Sequence, residues 1–140
     1  MRVKNSLVTA SVIAFSCASV FAAEWYAKET KWAGHDPDII RFDDGYVLVD
    51  TDNHMLIQVS EDALNWENDK PAMPEFSKWL YNYAPNMKDI WAPDIHYIGG
   101  EYRMYYCGSE MGIRSSGMGF MSSKEIDPKK PGYGWTDQGE

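Results

Sequence analysis

A chain of 140 residues with 21 acidic against 13 basic side chains, net −8, is the size of one small domain or a piece of a larger one. Its acidity argues against nucleic acid or anionic membrane as partner and suits a neutral ligand. Only one of its two cysteines, Cys107, lies beyond the leader segment described next, so no intramolecular disulfide is expected to reinforce a small core.

The first element is a leader. Arg2 and Lys4 precede a largely apolar, charge-free run from Leu7 to Phe21, and small residues follow at Ala22 and Ala23. This is the pattern of a secretory signal peptide over residues 1–22, cut near Ala22/Ala23. The run is short of the ~20 residues a membrane span needs, so a secreted or periplasmic product with no membrane attachment after cleavage is expected. Losing Arg2 and Lys4, and no acid, deepens the net charge from −8 to −10. Cys17 as a lipid-bearing cysteine is disfavoured, because Ala14-Phe15-Ser16 is a poor lipobox.

Residues 23–140 contain one plan twice. His35-Asp36-Pro37-Asp38-Ile39 leads into a hairpin around Asp43-Asp44-Gly45 and then Tyr46-Val47-Leu48-Val49. Trp91-Ala92-Pro93-Asp94-Ile95 leads into a hairpin around Gly99-Gly100 and then Tyr102-Arg103-Met104-Tyr105. Pro37 is separated from Pro93 by the same offset that separates Tyr46 from Tyr102, so the copies are in register. In the first unit Ile39–Phe42, Tyr46–Asp50 and Met55–Ser60 read as strands, with a polar turn at Asp52-Asn53. Ser60-Glu61-Asp62 through Trp66 closes that unit with a polar turn and a packed indole. The segment from Asp69 to Asp89 reads as a loop with a short helical turn within Pro74–Tyr83. The second unit offers Ile95–Ile98, Tyr102–Cys107 and Gly117–Ser123, then a loop to Trp135. Consecutive antiparallel strands repeating at about 40–60 residues are the signature of propeller blades. Two blades do not close a ring, and Trp135 to Glu140 reads as mid-strand, so an N-terminal part of a longer protein is expected. The competing reading is a self-contained small β-sandwich.

One substitution within the repeat points to chemistry. Asp36 stands where the second copy has Ala92, so the turn itself does not require a carboxylate. At the start of an innermost strand, Asp36 would face the propeller axis and could deprotonate a water. The plainer reading is a turn-initiating Asp before Pro. Asp38 and Asp94 recur in both copies and are read as structural. Trp32 and Trp91, beside the two motifs, are the candidates for stacking on sugar rings, whereas Trp66 and Trp135 recur at blade ends and are read as packing. Cys107 is expected to be a buried small hydrophobe. His35, His54 and His96 are scattered, and no metal-binding constellation is visible.

The ordered set of motifs resembles glycoside hydrolase family 43, and within it the arabinanases. It comprises His35-Asp36-Pro37 with its hairpin, Ile57 to Trp66, Ile90 to Ile95, Tyr105-Tyr106 with Ser109 and Gly112, and Trp135 to Gly139. The resemblance implies an all-β, five-bladed β-propeller, of which residues 23–140 would form about the first two blades. It implies Asp36 as the general base, His35 and Trp91 as lining of the sugar site, and Gly112 as a position that contacts substrate. Met111 departs from the family, which usually carries an aromatic there, and this bears on fine specificity. The mechanism implied is inverting hydrolysis of α-1,5-arabinofuranosidic linkages in arabinan or a related plant cell-wall polysaccharide, with base and acid ~6.5–9.5 Å apart. In the family the acid is a glutamate and its tuning residue an aspartate, both on later blades. Asp94, Asp127 and Glu140 do not match those motifs, so the 140 residues alone are expected to be inactive. No cofactor is identifiable; family members often hold an axial ion through a later histidine. The rivals are a β-xylosidase or α-arabinofuranosidase of the same family, and a non-catalytic sugar-binding propeller.

Overall fold

The computed structural model describes residues 34–140; the leader, Cys17 and Trp32 lie outside the described residues. Eight strands form two four-stranded antiparallel sheets, each with its strands in chain order. The first sheet contains β1 (Asp38–Phe42), β2 (Gly45–Val49), β3 (Leu56–Ser60) and β4 (Glu67–Pro71). The second contains β5 (Ile90–Ile98), β6 (Glu101–Ser109), β7 (Ser116–Ser123) and β8 (Thr136–Gly139).

Local chemistry accounts for the turns. Phe42 pairs with Gly45 across a two-residue loop, and Ile98 with Glu101 across Gly99-Gly100. Both of those glycines have positive φ, +64° and +88°, as a type I′ hairpin turn requires. Gly45 is fixed by space instead, since a Cβ there would fall 2.4 Å from the Ser60 carbonyl oxygen on β3. The expected polar turn at Asp52-Asn53 is a single helical turn, α1 (Asp52–Met55). It leaves His54 and Met55 at φ +61°, with the His54 ring stacked on Phe76 at 4.3 Å.

Burial alternates along the strands with period two. On β2, Val47 and Val49 are buried, and on β6 the buried residues are Met104, Tyr106 and Gly108. That alternation corrects one expectation. Cys107 falls on the other face of β6, half-buried, because Tyr106 and Gly108 take the core side. Val47, Val49 and Ile57 from the first sheet join Ile90, Ile95, Met104, Tyr106 and Met121 from the second in one buried cluster. The connecting segment adds Met73, Leu80, Ala84 and Met87. Its 3-10 helix, Lys78–Asn82, lies within the expected helical stretch and rests on the second sheet. Glycines make room for it: a Cβ on Gly108 would meet Leu80 at 2.4 Å, and one on Gly119 would meet Trp79 at 2.5 Å. Burying Leu80 completely contributes about 2 kcal/mol.

Two carboxylates fasten the framework. Asp38 accepts from its neighbour Ile39 N–H at 2.8 Å and, across the sheets, from Ile95 N–H at 2.6 Å. The structural role read for Asp38 is therefore a backbone clasp between the sheets. Asp94 instead pairs with His96 Nε2 at 3.0 Å. Asp137 on β8 accepts from Ser77 Oγ, Tyr106 OH (2.5 Å), Trp79 Nε1 (3.0 Å) and its own strand's Gly139 N–H (3.2 Å). Trp135 packs against the core as expected, while Trp66 is half-buried beside Val59 and Lys129.

These bonds make stability depend on pH. Burial pushes the Asp137 carboxyl up, but donation from Ser77, Tyr106 and Trp79 outweighs it and leaves its pKa below the ordinary 3.8. In the turn after β3, Asp62 is held far below 3.8 by the backbone N–H groups of Asn65 and Leu64, then by the Asn65 side chain. Both groups have depressed folded-state values. Their stabilisation is complete above the ordinary carboxylate value and is lost as pH falls through the folded one. The urea midpoint is therefore expected to hold between pH 7 and 5 and to drop below about pH 4. A midpoint unchanged down to pH 2.5 would contradict it.

Candidate functional site

Asp36 and Ala92 both adopt φ +48°, a left-handed conformation that costs side-chain-bearing residues on the order of 1–3 kcal/mol. Each precedes the proline of its motif, Pro37 immediately before β1 and Pro93 within β5. The repeat is thus preserved down to an unusual backbone state, and only the side chain differs. At Asp36 that side chain is half exposed.

The carboxylate is held from two directions. His35 Nδ1 lies 3.4 Å from Asp36 Oδ2, and Thr51 Oγ1 donates to the same oxygen at 3.5 Å. Among the described residues both of these contacts fall on Oδ2, and no hydrogen bond or ion pair falls on Oδ1. Thr51 is itself fixed, since its backbone N–H donates to the His35 carbonyl at 2.9 Å. Its hydroxyl also accepts the Ala92 N–H at 3.0 Å, which joins the two motifs side by side.

Of the residues picked out by sequence, His35, Asp36 and Trp91 come together. The His35 and Trp91 rings meet edge to face, 6.4 Å apart at 67°. Trp91 Nε1 donates to the Ser109 carbonyl at 3.4 Å, which turns the indole toward a cleft of about 410 Å³. That cleft is lined by Asn86, Lys88, Trp91, Glu110 and Met111, among others. Gly112 follows Met111 in a solvent-exposed turn at φ +85° and is not part of the lining. Sequence reading missed three contributors. Thr51 offered one signal, since it stands to Cys107 in the repeat as Pro37 stands to Pro93. Asn86 lies in the segment read as loop and Glu110 between two expected strands, and Glu110 accepts the Asn86 N–H at 3.0 Å at the cleft wall. The axial ion implied by the resemblance finds no ligand set here: among the described residues no three His, Cys, Asp or Glu side chains converge.

A half-exposed carboxylate near a cleft that is walled by Trp91 and carries the charged side chains Lys88, Asp89 and Glu110 can serve acid–base chemistry on a polar ligand. Comparison with known proteins agrees in kind. Residues 30–140 match the model of glycosyl hydrolases family 43. The extracellular endo-α-(1→5)-L-arabinanase 1 of Bacillus subtilis (strain 168) is 31% identical over 144 residues, covering 99% of this chain and 43% of that protein. An extracellular exo-α-(1→5)-L-arabinofuranosidase of Cellvibrio japonicus (strain Ueda107) is 32% identical, covering 92% of this chain and 36% of its own length. Among solved structures, the α-L-arabinanase of Cellvibrio cellulosa complexed with arabinohexaose superposes with a TM-score of 0.72 at 31% identity, over 76% of this chain and 34% of that one. The chain thus spans less than half the length of these curated relatives. Its all-β architecture is that of the five-bladed propeller arabinanases, with each four-stranded sheet one blade.

Proposed function

We propose, from the premise that the chain belongs to glycosyl hydrolases family 43, that the whole protein hydrolyses α-1,5-arabinofuranosidic linkages in arabinan with inversion of configuration. One observation carries the reading. Asp36 is a half-exposed carboxylate on a left-handed turn whose repeat partner is alanine, with Trp91 and its cleft alongside. In this role Asp36 takes a proton from water as the water's oxygen attacks the anomeric carbon. A carboxylic acid on the opposite face protonates the departing glycosidic oxygen, across a gap of about 6.5–9.5 Å. His35 and Trp91 flank the sugar being cleaved, and Gly112 offers backbone to the substrate. The 140 residues bring the base and not the acid, so activity is proposed for the whole protein and not for this segment alone.

The endo- and exo-acting relatives share the α-(1→5)-L linkage in their names, and that shared linkage is the substrate proposed. Relatives named extracellular support export, with residues 1–22 as the signal. The test is incubation of the whole protein with debranched arabinan and with aryl β-xylosides. Arabinose or arabino-oligosaccharides from the first, with the anomer inverted by NMR, are expected. Cleavage of the xyloside alone would replace the reading with a β-xylosidase. Binding in calorimetry without any reducing sugar would replace it with a non-catalytic module.

Met111, 82% exposed on the cleft wall, sets a second expectation. Met111→Tyr supplies a flat ring for sugar C–H groups and is expected to lower KM for arabino-oligosaccharides several-fold, with kcat unchanged. An unchanged KM would remove Met111 from the binding surface.

A further inference from the structure

We propose that Thr51 is a positioning residue for Asp36, holding one carboxylate oxygen so that the other is aimed at the attacking water. This rests on the reading of Asp36 as the base and names a residue that neither the repeat motif nor the family resemblance singled out.

The hydrogen-bond inventory of a hydroxyl decides the direction. Thr51 is 2% exposed, and its Oγ1 accepts the Ala92 N–H at 3.0 Å. With that lone pair engaged, its single proton is left to point at Asp36 Oδ2, 3.5 Å away. The separation is long, as contacts to catalytic groups often are before substrate binds. The hydroxyl cannot wander, because the Thr51 backbone is tied to His35 and its side chain to Ala92. His35 Nδ1 reaches the same Oδ2 at 3.4 Å, so both contacts leave Oδ1 for water.

The repeat supplies an independent argument. Thr51 pairs with His35 as Cys107 pairs with Trp91, and the two pairs are related by the same offset as Pro37 and Pro93. The first blade has aspartate with threonine; the second has alanine with cysteine. Carboxylate and hydroxyl are therefore present together in one copy and absent together in the other. The bond from Ala92 N–H needs only an acceptor at Thr51, whereas the contact to Asp36 Oδ2 uses the hydroxyl proton as well.

The experiment compares Thr51→Val, Thr51→Cys and Thr51→Ser in the whole protein on debranched arabinan, with Asp36→Ala beside them. Cysteine is the residue the second blade already carries there, which keeps a folded variant in the set. Val and Cys are expected to lower kcat about tenfold with KM little changed. Ser, which restores the hydroxyl, is expected to retain the wild-type kcat. The proposal is overturned if folded Val or Cys variants keep the wild-type kcat, if Ser loses as much as Val, or if neither Val nor Cys folds, which would make Thr51 purely structural. Full turnover by Asp36→Ala would instead remove the base assignment itself, a separate failure.

Discussion

Asp36→Ala in the whole protein is expected to reduce turnover of debranched arabinan by on the order of 10²- to 10⁴-fold, the usual contribution of a positioned general base. The structure makes this substitution unusually clean. A left-handed φ at an alanine is normally a source of strain, and lost activity would then be open to blame on a damaged turn. Here Ala92 occupies the equivalent position at the same φ of +48°, also before a proline, in the neighbouring blade. The turn accepts alanine, so the circular dichroism spectrum and melting temperature should stay near wild type while turnover collapses. KM should change little, because the missing interaction is made chiefly in the transition state. Azide, a small anion able to enter the space left by the carboxylate, should restore part of the rate on an activated aryl arabinofuranoside. Near-wild-type turnover by Asp36→Ala would end the assignment.

Why was Asp36 legible from sequence when other parts were not? The repeat did the work. One constant offset aligned two motifs, and the aligned positions share backbone geometry as well as sequence. Hairpins were equally visible, since Asp43-Asp44-Gly45 and Gly99-Gly100 announce tight turns between apolar runs. Strand β4 was invisible. Glu67-Asn68-Asp69-Lys70-Pro71 carries no alternating apolar face, and its pairing with β3 comes from the backbone. The start of β5 was equally hidden: its pairing is irregular between Trp91 and Asp94, which breaks the period at the motif. The left-handed turn at His54 and Met55 has no glycine to signal it.

Roles that depend on a spatial neighbour were the hardest. Asp38 could be called structural because it recurs, yet nothing in sequence says that its partner is the Ile95 amide. Thr51 lies opposite His35 just beyond the end of β2, 15 residues from Asp36 and outside the repeated motif itself. Local periodicity finds elements, repeats find equivalent positions, and only the sheet register finds who stands across from whom.

Asp137→Ala is expected to lower the unfolding free energy of the whole protein by about 3 kcal/mol, the largest stability effect among the changes considered. The size follows from what is stranded. Tyr106 is almost wholly buried, and its hydroxyl donates to Asp137 at 2.5 Å; burial, followed by this bond, drives its own pKa far upward. Trp79 Nε1 and Ser77 Oγ converge on the other carboxylate oxygen. Removing the acceptor leaves the buried Tyr106 hydroxyl and the partly buried donors of the connecting segment without their partner, and the outer strand β8 loses its side-chain tie to both. Asp137→Asn keeps one acceptor oxygen but no charge and should cost roughly half as much. Tyr106→Phe tests the cause directly. If the carboxylate works through this cluster, the double variant Tyr106→Phe with Asp137→Ala should cost clearly less than the two single changes added together. Urea titration at pH 7 measures the four variants against the wild type. A loss under about 0.5 kcal/mol for Asp137→Ala, or strict additivity in the double variant, would mean that β8 is held by its backbone pairing with β7 and that the carboxylate cluster is incidental.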